Sequence, residues 1–256
     1  MIAAGWSAWV WTLASVLAIS LLSLAGVAIA FVFSRERLQP VVFVLVGLAV
    51  GAMLGDTFIH LLPESFDRSP APLRTSLFCL AGIMAFFVLE KFLLWRHDHA
   101  AEHTHPIHPV GYINLIADGL HNFMDGLLIG ASYLVSVPIG VATTLAVCLH
   151  EIPQEIGDFG VLLHAGFTRG QALWLNSLTG ALSIAGAVLS LSIGSWFAAF
   201  SSAMLSLTAG GFIYIAGSDL VPELHKERQP GQAAIQLLAI GSGIGLMLLL
   251  KLWGRS

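Results

Sequence analysis

Apolar runs of about twenty residues follow one another along this chain, and a run of that length with few charges can cross a bilayer as one helix. They lie at 8–33, 41–65, 73–95, 111–134, 139–163, 170–193, 198–221 and 232–252. The breaks between them read S-R-E-R-L-Q-P, F-D-R-S-P-A-P, the long R-H-D-H-A-A-E-H-T-H-P-I-H-P, S-V-P, T-R-G, a weak uncharged break near Ser195, and H-K-E-R-Q-P-G. Inside hydrocarbon every backbone polar group must be satisfied within the protein, so spans of this length are helical. The expected fold is all-α: a polytopic membrane protein with eight transmembrane helices, one transporter-like domain over 1–256, and both termini on the same side. Composition agrees, with 57% hydrophobic and only 10% charged residues, against about 25% charged in soluble chains. The lipid bilayer is therefore the expected surroundings, and the thin scatter of eleven Lys and Arg makes nucleic acid an unexpected partner.

Basic residues orient the spans. Arg35, Arg37, Lys91, Arg96, Arg169, Lys226 and Arg228 fall on one side, and Arg68, Arg74, Lys251 and Arg255 on the other. Seven against four places both termini outside and the histidine-rich loop at 96–110 in the cytoplasm. The first span has no basic flank and no clear cleavage site, so it reads as a retained helix rather than a signal peptide. Cys79 and Cys148 both sit in apolar spans, which leaves neither a disulfide scaffold nor a four-thiolate metal site.

Two polar clusters interrupt this apolar background. One is D118-G-L-H-N-F-M-D-G126, the other H150-E-I-P-Q-E-I-G-D158. At about 100° per residue, Asp118, His121, Asn122 and Asp125 occupy roughly a 100° arc of one helix. His150, Glu151, Gln154, Glu155 and Asp158 occupy roughly 140° of the next. A charged side chain at the bilayer centre costs a few kcal/mol or more, so five acids and two histidines in neighbouring spans call for a positive partner. His121 and Asp125, one turn apart, can reach a single ion, and imidazole with carboxylate suits Zn²⁺ and its first-row neighbours. The bland alternative is a hydrogen-bonded network that ties helices together. Asn122 either supplies an amide oxygen or caps a local bend; Asp118 is a ligand, a support for His121, or a gate. Pro153 is expected to kink the second helix and to free a carbonyl near residue 149. The run H-E-I-P-Q almost spells the H-E-x-x-H zinc-hydrolase motif, but glutamine stands at 154, so intramembrane hydrolysis is a minor alternative.

Further polar residues suggest a route and an internal echo. The second span ends in H60-L-L-P-E64 and the seventh in D219-L-V-P-E223, with Asp56 one turn before His60. Under the assigned topology helices one to three and six to eight form an inverted repeat around helices four and five, an arrangement common in secondary transporters. For Glu64 and Glu223 the alternative is that P-E merely marks where a helix meets water. His97, His99, His103, His105 and His108 form a low-complexity tract of the kind that binds zinc loosely, or a spacer rich in histidine.

These motifs resemble those of the ZIP family of divalent-metal transporters, in the branch with H-N-F-x-D-G in helix four and H-E-x-P-H-E-x-G-D in helix five. This chain has H121-N-F-M-D-G126 and H150-E-I-P-Q-E-I-G-D158, with G55-D56-T-F-I-H60-L-L-P-E64 and D219-L-V-P-E223 also similar to the family's patterns. The resemblance implies a two-metal site at midmembrane. His121 and Asp125 correspond to its helix-four ligands, with Asn122, His150 and Glu151 at the adjoining position and Glu155 a less secure member. Asp56 and His60 correspond to a pathway leading in from outside. Family members import Zn²⁺, Fe²⁺, Mn²⁺ or Cd²⁺ and often form homodimers. Gln154 departs from the pattern, since its amide is a harder and weaker donor than the usual imidazole.

The resulting expectation is a non-enzymatic transporter of a divalent transition metal, zinc foremost, in the cell membrane, with an organelle membrane as the alternative in a eukaryote. The metal, as one ion or two, is substrate rather than cofactor. It enters near Glu64 and His60, exchanges its waters for His121, Asp125, His150 and Glu151, and leaves past Asp118 toward the histidine loop in the cytoplasm. Asp56, Asp158, Asp219 and Glu223 are also expected on the pathway, and Gln154 is either a further ligand or a packing residue. No phosphate loop is present, so no nucleotide partner is expected. A metal efflux exchanger, a metal-dependent hydrolase and a receptor-like bundle are the alternatives.

Overall fold

The computed structural model describes residues 5–32, 35–69, 71–99, 109–194, 198–226 and 230–253. Among them there is no strand, and the helices group into eight spans. These are α1 (Trp6–Val32), α2 (Arg35–Gly55, continuing through Asp56–Leu61 and Leu62–Arg68), α3 (Pro72–His99) and α4 (Pro109–Val135). They continue with α5 (Val137–His164), α6 (Arg169–Gly180 and Leu182–Gly194), α7 (Ala198–Tyr214, then Ile215–Leu220 and Val221–Leu224) and α8 (Pro230–Trp253). All eight expected spans are present. Residues 195–197, which hold the weak break, and 100–108, which hold His103, His105 and His108, lie outside the described residues. Pro40–Arg68, Arg169–Gly194, Ala203–Leu224 and Gly231–Trp253 are each long and apolar enough to cross a membrane. The chain is a multi-pass membrane protein. α4 and α5 are not in that group, because they carry the polar clusters.

Local chemistry explains where the helices stop. α5 ends in a Schellman turn: Phe167 N–H donates to Leu162 O and Gly166 N–H to Leu163 O, both at 3.1 Å. Gly166 takes φ 97° there, a conformation that side chains resist. α6 then starts on a capping box between Thr168 and Gln171. It breaks at Ala181, a feature hydropathy does not show. Ser183 Oγ donates to Gly180 O at 2.7 Å, and hydroxyls that bond back to the preceding turn bend helices. α5, by contrast, stays helical through Pro153.

Three helix pairs pack closely through glycine, as small residues permit in membranes. A Cβ on Gly126 of α4 would strike the backbone of Ser183 on α6, and one on Gly186 would strike Phe123 in return. Gly51 and Gly243 face backbone across α2 and α8, and Gly82 and Gly210 do so across α3 and α7. The pairing is that of an inverted repeat. α2 on α8 corresponds to α7 on α3, and α1 on α5 corresponds to α6 on α4. The P-E echo is structural as well. Asp56–Leu61 and Ile215–Leu220 are both π-helical turns, each ending two residues before its proline. Leu62 N–H reaches back five residues to Thr57 O, and Val221 N–H to Ala216 O. Proline cannot donate and crowds the carbonyl one turn back, and the wider turn makes room for it.

Candidate metal centre

α4 and α5 pack side by side in the middle of the bundle, and their polar arcs face one another. His121, Asp125, His150 and Glu151 meet there, each offering one nitrogen or oxygen within 4.8 Å of all the others. His150 Nε2 lies 3.2 Å from His121 Nε2 and 3.2 Å from Asp125 Oδ2. His121 Nε2 lies 3.6 Å from Glu151 Oε1 and 3.7 Å from Asp125 Oδ2, and His150 Nε2 lies 3.8 Å from Glu151 Oε1. All four side chains are buried. Both oxygens of Asp125 and both of Glu151 lack a hydrogen-bond partner in the protein. Two imidazole nitrogens and two carboxylates without such partners are therefore gathered around one point.

That point fits a cation. A tetrahedral ion held at about 2.0–2.2 Å by nitrogen and oxygen sets its ligand atoms about 3.3–3.6 Å apart, close to the spacings observed. His150 Nδ1 sits 3.1 Å from the Ala146 carbonyl. A carbonyl only accepts, so Nδ1 carries the proton and Nε2 keeps its lone pair for the centre, the usual support for a ligating imidazole.

The other sequence-nominated residues are placed differently. Asn122 Nδ2 donates to Asp118 Oδ1 at 2.7 Å, and Thr179 Oγ1 of α6 donates to Asp118 Oδ2 at 2.5 Å. Glu155 accepts from Asn176 Nδ2 on α6. Asn122, Asp118 and Glu155 thus belong to a buried network between α4, α5 and α6 beside the four-residue cluster. Gln154 is half-buried, and no hydrogen bond or ion pair among the described residues joins it to the cluster. Asp158 is half-buried, its Oδ2 without a hydrogen-bond partner.

On the π turn of α2, Asp56 and His60 are fully buried. Thr143 Oγ1 of α5 donates to Asp56 Oδ2 at 2.9 Å, and His60 Nδ1 lies 3.3 Å from Asp56 Oδ1. The matching turn of α7 is exposed at Ser218 and Asp219. There Ser218 Oγ donates to Asp219 Oδ1 at 2.7 Å, and Tyr214 donates its hydroxyl to Glu90 of α3. Glu64 pairs with Arg68 at 2.5 Å, and Glu223 pairs with Lys226, so both P-E glutamates end at a basic partner. His97 and His99 close α3, with their side chains outside the described set.

Sequence reasoning passed over Thr143, Asn176, Thr179 and Glu90. Asn176 and Thr179, three apart in an apolar span, are the polar pair that could have drawn notice. It also passed over Phe86 of α3 and Phe212 of α7, whose rings stand edge-on to His121 and His150 at 6.1 and 6.2 Å. Nothing local distinguishes those two from other core aromatics.

Eight helical spans around a buried pair of imidazoles and a pair of carboxylates define a polytopic membrane protein with a centre fit for a divalent cation. The family model described as ZIP zinc transporter matches residues 7–105 and 94–251; the chain belongs to that family. It is 39% identical to zinc transporter ZIP13 of Pongo abelii, over 82% of this chain and 66% of that protein. It is 30% identical to zinc transporter zipt-7.1 of Caenorhabditis briggsae, over 95% and 79%. Identity to zinc transporter SLC39A7 of Rattus norvegicus is 29%, over 85% and 66%. The chain thus spans about two-thirds of the first and last of these relatives.

Proposed function

We propose that this protein carries a divalent transition-metal ion, zinc foremost, across its membrane toward the cytoplasm, through the His121, Asp125, His150 and Glu151 cluster. The observation that carries this reading is the convergence of four buried donor atoms at ligand-shell spacing, with four carboxylate oxygens left without hydrogen-bond partners. Two nitrogens and two oxygens without thiolate match zinc and bind more weakly than a cysteine site, as a carrier that must release its ion requires. The naming of the relatives as zinc transporters supports the same substrate. Direction rests on the excess of Lys and Arg on the side of the histidine tract. A membrane potential alone supplies about 4.6 kcal/mol per 100 mV for two charges moving inward.

Uptake of radioactive Zn²⁺, Fe²⁺ and Mn²⁺ into proteoliposomes, with oriented protein and empty-vesicle controls, tests the reading. We expect zinc uptake in the wild type and its loss in His121→Ala and Asp125→Asn. Zinc flux unchanged by both substitutions would remove the cluster from the route, and flux only out of the cytoplasmic face would reverse the direction.

A further inference from the structure

The two imidazoles of the cluster are held in different ways. His150 is anchored twice, by its Nδ1 contact with Ala146 O at 3.1 Å and by the edge-on Phe212 ring at 6.2 Å and 70°. His121 has no such backbone anchor among the described hydrogen bonds. Its ring meets His150, a fellow member of the cluster, and Phe86 of α3 at 6.1 Å and 84°. Phe86 is 5% exposed, and its own position is set from behind. A Cβ on Gly211 of α7 would lie 2.5 Å from its Cε2. Edge-to-face aromatic contacts are directional, and an imidazole without a hydrogen bond on its far nitrogen can turn about its last side-chain torsion.

We infer that Phe86 is the positioning residue for His121, and that through it α3 sets the metal preference of the centre. With Phe86 in place, His121 Nε2 points at the shared centre and the ion meets two nitrogens and two oxygens. Without it, His121 turns away from the centre part of the time, and the remaining shell is dominated by the carboxylates of Asp125 and Glu151. Zinc gains most from imidazole, whereas manganese is served well by carboxylate oxygen. Loss of Phe86 therefore acts on zinc selectively. The inference rests on the proposal that the cluster binds the transported ion.

The test is titration of Zn²⁺ and Mn²⁺ separately into purified full-length protein, as wild type, Phe86→Leu, Gly211→Ala, His121→Ala and the Phe86→Leu/His121→Ala double variant. Gly211→Ala leaves Phe86 in the chain but forces its ring to move, so it reports even where Phe86→Leu does not fold. Supports around metal ligands are typically worth 10–100-fold in affinity. We expect Phe86→Leu and Gly211→Ala to weaken zinc binding about tenfold and to leave manganese within about twofold. In the His121→Ala background, Phe86→Leu should add nothing, since two residues acting through one contact are not additive. Phe212→Leu should have the smaller effect, because Ala146 still holds His150. Equal loss for zinc and manganese, or the same loss with and without His121, would assign Phe86 to packing and overturn the inference alone. Zinc binding that does not depend on His121 in the wild type would overturn the transport reading and this inference with it.

Discussion

Substituting Gly126 by alanine adds one methyl group to α4, one residue after Asp125, and the structure indicates a severe effect. The new carbon would lie 2.6 Å from the Ser183 carbonyl carbon and 2.8 Å from its Cα. Carbon atoms settle at about 3.5–4.0 Å, so α4 and α6 must part by about 1 Å. Neither partner is a side chain that can rotate away. Overpacking typically costs about 1–3 kcal/mol, and a clash of backbone with backbone belongs at the upper end. We expect a thermal unfolding midpoint lower by roughly 5–10 °C. His121 and Asp125 ride on the displaced helix while His150 and Glu151 stay on α5, so the shared centre opens. Misplacement of reacting groups by about 1 Å commonly costs orders of magnitude, and zinc uptake per folded protein should fall about tenfold or more. Gly157→Ala is the matched control. It lies within the helix-five motif, yet a Cβ there meets nothing within 4 Å, so stability should stay within about 1 kcal/mol of wild type and uptake should persist. The assay is thermal unfolding in detergent together with uptake into proteoliposomes. If Gly126→Ala matches Gly157→Ala in both measurements, the close approach of α4 and α6 does not hold the centre together.

Two further substitutions probe the neighbourhood of the cluster. Thr143→Val leaves buried Asp56 Oδ2 without its hydroxyl donor, which should cost about 1–3 kcal/mol in thermal stability and slow uptake; Thr143→Ser should restore both, and a silent Thr143→Val would remove this tie between α2 and α5 from the pathway. Gln154→His places an imidazole at the one position that departs from the family motif. Because the four clustered side chains already offer enough donors for a four-coordinate ion, zinc affinity should stay within about twofold, and marked tightening on titration would show that position 154 reaches the ion.

Much of this architecture was legible before any coordinates. Eight spans follow from run length, because hydrocarbon admits no unpaired backbone and a helix needs about twenty residues to cross it. The inverted repeat shows in H60-L-L-P-E64 and D219-L-V-P-E223, because proline leaves the same mark on the backbone wherever it falls, here a π turn in one register in both halves. His121 and Asp125 share a face by spacing alone. What spacing could not decide was which of the seven charged and imidazole groups in α4 and α5 would converge. The arcs on the two helices are each broad enough to include Asp118, Glu155 and Asp158. The choice falls to the rotation and closeness of α4, α5 and α6. With Gly126 and Gly186 in backbone contact, α6 comes near enough for Thr179 to take Asp118 and Asn176 to take Glu155. Those acids are satisfied by hydrogen bonds, and Asp125 and Glu151 are left facing the imidazoles. Phe86 comes to His121 from α3, thirty-five positions earlier, and only the packing of α3 against α7 decides where its ring stands. Hydropathy and periodicity describe one helix at a time, whereas a ligand shell is a property of distances between helices, set here by glycines at their crossings.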